Sequence, residues 1–333
     1  MAATGTGERN LLTDVDGLRV GNAACERARS GVTVVLVDRA ATAGCDVGGG
    51  APGTRETDCL RPGNLVGRLH AVTLAGGSVF GLAAADAVAC RLSADGHGLR
   101  LDRGTPAVPI VSAAVIYDLN NGGDKDWGES PPYASLGRKA LAAAATDFGL
   151  GPTGAGRGAT TGVGVGGLGS ASLKLGGITV AALMVANPVG SPFMADGCTF
   201  WAWPLEVGDE FGGRKPDPLT LPDMADPMPM TKLASGRPAS LNTVVGVVAT
   251  DADLDSGDCR RLARAAQDGI ARAVRPSHTL MDGDTVFALA TGRAALQGSR
   301  PGALAELGSA AADCVARALS RGVHASMSRE SPG

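Results

Sequence analysis

Strand-like and helix-like segments of this 333-residue chain come in runs, not in strict alternation. Residues 32–38, VTVVLVD, form a short β-branched run with 33–37 as its strand core. Residues 71–74, 108–119 (VPIVSAAVIYDL), 178–186, 243–250 (TVVGVVAT) and 284–290 read as further strands. Residues 11–23 read as a strand, a glycine turn and a second strand, and SASLKLGG (170–177) as a strand and turn. Helical texture is confined to three places: an Ala-rich stretch opened by Gly76, Gly77 and Ser78 and running to about residue 92, then 254–273, then 301–321. This order favours α+β layers over a doubly wound parallel sheet.

Glycine accounts for 50 of the 333 residues, about twice its usual share of roughly 7%. The glycines fall in short patches without a collagen period, which points to tight turns and close backbone approaches. Hydrophobic residues at 44% and charged residues at 19% are ordinary for a globular chain. A net charge of -3 and an aromatic content of 3% argue against a nucleic-acid partner. Seven cysteines, an odd number without C-x-x-C spacing, argue against a disulfide framework or a zinc site and fit reduced cytosolic thiols. No leader pattern opens the chain and no stretch reaches 18 apolar residues, so a cytoplasmic protein without a membrane span is expected.

Several motifs carry little. Gly162-x-Gly164-x-x-Gly167 matches the dinucleotide fingerprint formally, but it follows no clear strand and has no acidic residue about 20 positions on. Glycine-permitted turns account for it, and no cofactor is expected. The four histidines include no i,i+4 pair, so no metal is expected. His278 beside Asp282 could serve a Ser-His-Asp triad, but the favoured reading is an ordinary surface or capping histidine.

The informative junction is Asn242-Thr243. Residues 203–240 are Pro-rich, charged and aperiodic and read as a long exposed loop; a buried strand then begins abruptly at the threonine. Cutting the bond between these two residues would give Thr243 a free amine beside its own hydroxyl. That amine, with an ordinary pKa of about 7.7–8.0, is a general base for the hydroxyl. A plain loop-to-strand junction is the alternative.

Eight stretches taken together resemble the L-aminopeptidase/D-esterase and β-peptidyl aminopeptidase family, which includes the nylon-oligomer (aminohexanoate-oligomer) hydrolases. They are LLTDVDGLRVGNA (11–23), GVTVVL (31–36), GGGAPGTRETDCLRPGNLV (48–66), HAVTLAGGSVFGLAAADAV (70–88), VPIVSAAVIYDL (108–119), GGITVAALMVANPVG (176–190), NTVVGVVATDA (242–252) and HTLMDGDTVFALAT (278–291). The resemblance implies an α+β fold of four layers, an αββα sandwich like that of N-terminal-nucleophile hydrolases but with different connectivity. It also implies a single catalytic domain that cuts itself into 1–242 and 243–333, with Thr243 as nucleophile. The Asn-Thr junction resembles the nylon-oligomer hydrolase branch.

By the same resemblance Tyr117 donates to the substrate or stabilises the intermediate. Asn187 contributes its amide to an oxyanion hole, and Asp282 and Asp284 form a relay beside the nucleophile. Gly76 and Gly77 are candidate backbone N–H donors. Without the family, Asp282 and Asp284 would read as an Asx turn, Asn187-Pro188 as a turn pair and Tyr117 as a core tyrosine. Relatives often carry a lysine soon after the Gly154–Thr160 run, and here the aligned place is Val163. The expected substrate is a short peptide or peptide-like amide, and the expected assembly a homo-oligomer of αβ units. An acyltransferase using the same threonine acyl-enzyme, and a non-catalytic binding protein, are the rival readings.

Overall fold

The computed structural model describes residues 3–162, 164–217, 228, 230–233 and 242–330. Its organising element is one very long strand. After β1 (Leu18–Cys25), β2 runs from Ser30 to Val47 and belongs to two sheets. Its first half pairs antiparallel with β1 and with β3 (Arg68–Ala75); its last residues, 42–47, pair antiparallel with β8 (Thr285–Ala294). The register breaks between Leu36 and Ala41, where Asp38 and Arg39 face solvent. The sequence pattern ends a strand at 38 because a charged pair interrupts the apolar run; the backbone continues because β3 pairs again at Ala41 and Thr42 and β8 takes over from Thr42.

The first sheet is completed by β4 (Val111–Val115), parallel to β3, and a short edge at Thr54–Arg55. The second contains β5 (Gly167–Leu175), β6 (Ile178–Asn187) and β7 (Thr243–Ala252), with β6 antiparallel to β7 and β7 parallel to β8. Helices α1 (Ala83–Ala94) and α2 (Tyr133–Ala142) cover the first sheet. Helices α3 (Ser256–Ala273) and α4 (Arg300–Glu330) cover the second.

Three separate cores show the layering. Alternate residues of each strand enter different cores, as a two-residue period requires. On β7, Val245, Val247 and Ala249 face the first sheet and share a core with Val35, Val72 and Leu74 of that sheet. Val244 and Val248 face α3 and α4. On β2, Val32, Val34 and Leu36 face α1 and α2. This gives the order helices, sheet, sheet, helices. The interior strands look apolar throughout because both of their faces are buried.

Helix α3 starts at a capping box in which Asp255 accepts from the Asp258 N–H and Asp258 accepts in return. Helix α4 lies so close to β5 that a Cβ on Gly169 would sit 1.8 Å from the Ala318 carbonyl. It runs to residue 330, beyond the 321 that periodicity suggests. Residues 11–17 hold a 3-10 turn, Leu12–Asp14, in place of the first expected strand. The Asp14 carboxylate gathers the Arg9 and Leu11 N–H groups there. The Ala-rich helix likewise begins with a 3-10 turn, Ser78–Leu82. Helix α2 gave no clear signal in the sequence. Most of the 203–240 loop, together with Val163, lies outside the described residues. Among the described residues no helix is long and apolar enough to cross a membrane.

Candidate active site

The site forms where β6, β7 and β8 begin or end at one edge of the second sheet. Asn187, the last residue of β6, is the antiparallel partner of Thr243, the first of β7. Asn242 bridges in parallel to Asp282, just before β8. Asn187, Asn242, Thr243, Asp282 and Asp284 are therefore brought together by strand register, and all are almost completely buried.

The junction bond is held from both sides. The Thr243 hydroxyl donates to the Asn242 carbonyl oxygen. The same carbonyl accepts the Gly283 N–H at 3.0 Å, while the Asn242 N–H donates to the Met281 carbonyl at 3.0 Å. The glycine between the two aspartates is there for space. A Cβ at 283 would come 2.6 Å from the Ala51 carbonyl and 2.9 Å from Thr243 Oγ1.

The two aspartates have different partners. Asp282 accepts from the Val189 N–H at 3.0 Å with one oxygen, and from the Thr279 N–H at 3.1 Å and hydroxyl at 2.6 Å with the other. Burial, followed by the nearby Asp284, raises its pKa, and these hydrogen bonds oppose the rise. Asp284 accepts the Val244 N–H at 2.8 Å, and its other oxygen faces the His278 backbone N–H at 3.0 Å and ring Nδ1 at 2.8 Å.

A lysine enters from a direction that the sequence did not suggest. Lys232 Nζ lies 2.5 Å from Asn242 Oδ1 and 3.5 Å from Asn187 Oδ1. The residue as a whole is partly exposed, but its amine is deeply packed. Burial lowers its pKa to about 7, against the pull of Asp282. An amine thus reaches this network although the position expected to carry one holds Val163. Five lysines are present in the whole chain, which made Lys232 visible, but its aperiodic loop offered no rule for placing it. Gly283 was legible as the centre of the MDGD motif, yet its carbonyl contact depends on how two chain segments meet.

Asn187 donates its amide to the Tyr117 carbonyl at 3.0 Å and accepts the Thr160 N–H at 3.0 Å. The amide has a second hydrogen, for which no acceptor is found among the described residues. Tyr117 and Thr243 line a cleft of about 370 Å³ whose wall includes Val79, Leu82, Val115 and Ile116. The expectation for Gly76 and Gly77 is corrected by their hydrogen bonds. The Gly76 N–H donates to the Gly31 carbonyl at 2.9 Å, and the Gly77 N–H to the Asp118 carboxylate at 2.7 Å. Both donors are used to hold the turn before α1, because an N–H buried there needs a partner.

The arrangement has a hydroxyl on a strand end, a backbone donor on the adjoining carbonyl, and an amine of near-neutral pKa within the field of Asp282. Such a set of groups can support nucleophilic acyl transfer. Peptidase family S58 matches residues 10–332, and the chain belongs to that family. An uncharacterized aminopeptidase of Mycobacterium tuberculosis is 42% identical over 94% of this chain and 93% of its own length. A 6-aminohexanoate-oligomer endohydrolase of Kocuria sp. is 30% identical over 86% of this chain and 76% of its own. Among solved structures, a Burkholderia sp. beta-aminopeptidase superposes with a TM-score of 0.69 at 26% identity, covering 97% of this chain and 88% of that one. The L-aminopeptidase D-Ala-esterase/amidase of Ochrobactrum anthropi, described as a variant of the Ntn-hydrolase fold, superposes with a TM-score of 0.68 at 24% identity, covering 96% and 87%.

Proposed function

We propose that this protein is a self-processing amide-bond hydrolase that uses Thr243 as an N-terminal nucleophile after cutting its own chain between Asn242 and Thr243. The observation that carries the reading is the Thr243 hydroxyl lying on the Asn242 carbonyl while the Gly283 N–H holds the same oxygen.

In maturation, Thr243 Oγ attacks the Asn242 carbonyl carbon as its proton passes to the neutral Lys232 amine. The negative oxygen is held by the Gly283 N–H. The carbon–nitrogen bond breaks, the Thr243 nitrogen takes the proton back from Lys232, and an ester joins Asn242 to Thr243 Oγ. Water hydrolyses that ester. The products are residues 1–242, ending in a new carboxylate, and 243–333, beginning with a free amine.

The two chains stay together. Val244, Val245, Val247 and Val248 are each 0% exposed, and burying one such side chain contributes about 1.5–3 kcal/mol. In the mature enzyme the Thr243 amine acts as base for its own hydroxyl. Tyr117 and the free hydrogen of the Asn187 amide serve the intermediate. The aliphatic wall of the cleft suits the acyl side of a short peptide or peptide-like amide. Assembly as a homo-oligomer of αβ units in the cytoplasm belongs to the same proposal.

The test is an intact-mass spectrum of purified protein beside a Thr243→Ala control. Two fragments that split between 242 and 243, with an uncut control at 33.1 kDa, are expected. A wild-type chain that stays whole after prolonged incubation would refute the reading.

A further inference from the structure

We propose that His278 is a positioning residue for the nucleophile strand: as an imidazolium it bridges Asp284 to helix α3, fixing the carboxylate that holds the N–H of Val244, the neighbour of Thr243. This rests on Thr243 being the nucleophile.

The argument begins with hydrogen positions. His278 Nδ1 faces Asp284 Oδ2 at 2.8 Å, and Nε2 faces the Gln267 backbone carbonyl at 3.3 Å. A carbonyl oxygen only accepts, and an ionised carboxylate only accepts. A neutral imidazole has one N–H, so one of these contacts would set lone pair against lone pair; the doubly protonated ring satisfies both. The surroundings agree with the charge. Burial by itself would lower the His278 pKa, but the bond to Asp284, the Asp284 charge, the Gln267 carbonyl and Asp282 together raise it.

Several elements of the described structure pack on the ring. The turn before β8 supplies Asp282 and Asp284, and α3 supplies Gln267. Gly48, the residue after β2, lies over the ring, since a Cβ there would come 3.0 Å from Nδ1. Gln267 in turn donates to the Asp46 carbonyl at 3.1 Å, with the Asp46 carboxylate 3.5 Å away and Arg264 ion-paired to it. Lys232 feels the charge of Asp282 as well.

The consequence is mechanical. Asp284 Oδ1 holds the Val244 N–H at 2.8 Å, so the direction in which β7 begins follows Asp284. Asp284 Oδ2 is aimed by two donors from one residue, His278. His278 itself has φ +54, a left-handed conformation that asparagine also tolerates. His278→Asn therefore keeps the backbone and offers a neutral donor near the place of Nδ1, while it removes the charge and the reach to Gln267.

Two measurements test this. In the first, ring nitrogen chemical shifts are recorded on isotopically labelled Thr243→Ala protein, with the His278→Asn double variant for assignment. At pH 7 both ring nitrogens of His278 should be protonated, while His70, whose pKa burial lowers, is neutral. A neutral His278 ring at pH 7 overturns the proposal. In the second, self-cleavage is timed across pH in wild type and His278→Asn. Wild type should slow at alkaline pH as the imidazolium loses its proton. The variant should be about tenfold slower at its best pH and lack that fall, the loss expected when a charged hydrogen bond becomes neutral. A variant with the wild-type rate, or a slower one with the wild-type pH profile, overturns the proposal. An uncut wild type would instead refute the nucleophile assignment, and the ring measurement would still decide the charge of His278.

Discussion

Replacing Lys232 by methionine should stabilise the uncut protein and at the same time disable its processing. The lysine pKa falls from 10.5 to about 7 on folding, which corresponds to about 5 kcal/mol of disfavoured ammonium at 1.36 kcal/mol per pKa unit. The folded pKa lies below the unfolded one. The folded chain therefore binds fewer protons between about pH 7 and 10.5, and stability rises with pH through that window. Below pH 7 the penalty is present in full. Methionine removes it but gives up the contacts of Nζ with Asn242 and Asn187, together worth roughly 1–3 kcal/mol. The net gain near pH 6 is then about 2–4 kcal/mol, shrinking toward pH 10.

The assay is urea denaturation of Lys232→Met/Thr243→Ala against Thr243→Ala at pH 6 and pH 9. The companion assay follows fragment formation in Lys232→Met with Thr243 intact. Loss of a general base should slow cleavage by about 10²-fold or more. A less stable variant at pH 6, a stability difference that does not change with pH, or cleavage at the wild-type rate would each refute the reasoning.

The remaining predictions use the same geometry. Wild-type self-cleavage should accelerate as pH rises through about 7, where the Lys232 amine becomes neutral, and a rate independent of pH from 5 to 7 would argue against that amine as the base. Gly283→Ala should abolish detectable cleavage, because its Cβ enters the space of Thr243 Oγ1 and the Ala51 carbonyl; overpacking should also cost about 1–3 kcal/mol in a denaturation experiment. Thr243→Ser should still cut, with the same fragment masses apart from the missing methyl group, whereas Thr243→Ala should stay whole by mass spectrometry. Gly77→Ala should destabilise the fold by about 1–2 kcal/mol, through its φ of +83 and contact with Tyr133, as read by the shift in thermal midpoint.

Much of this protein was written in local pattern. The apolar runs of β6, β7 and β8 and the spacing of α3 are legible because burial on two faces or on one stripe imposes a composition. The Asn-Thr junction and the MDGD turn are legible because each gathers its polar groups within a few residues. The two-sheet role of β2 was not legible, since Asp38 and Arg39 look like an end until a second partner strand is in view. The 3-10 turn at Leu12–Asp14 was hidden too, being set by a carboxylate that accepts from its own neighbours.

The site divides along the same line. Sequence by itself determined the strands that meet at the junction, and the family resemblance singled out Thr243, Asn187, Asp282, Asp284 and Tyr117 at or near their ends. Tertiary structure alone decided what surrounds them. It brought Lys232 across a loop to Asn242, set the Gly283 N–H on the carbonyl, placed His278 between Asp284 and α3, and used up the Gly76 and Gly77 donors on the turn. The physical reason is that strand formation answers to side chains within a few residues. The partner of a buried donor, acceptor or charge is whichever group packing brings within about 3 Å.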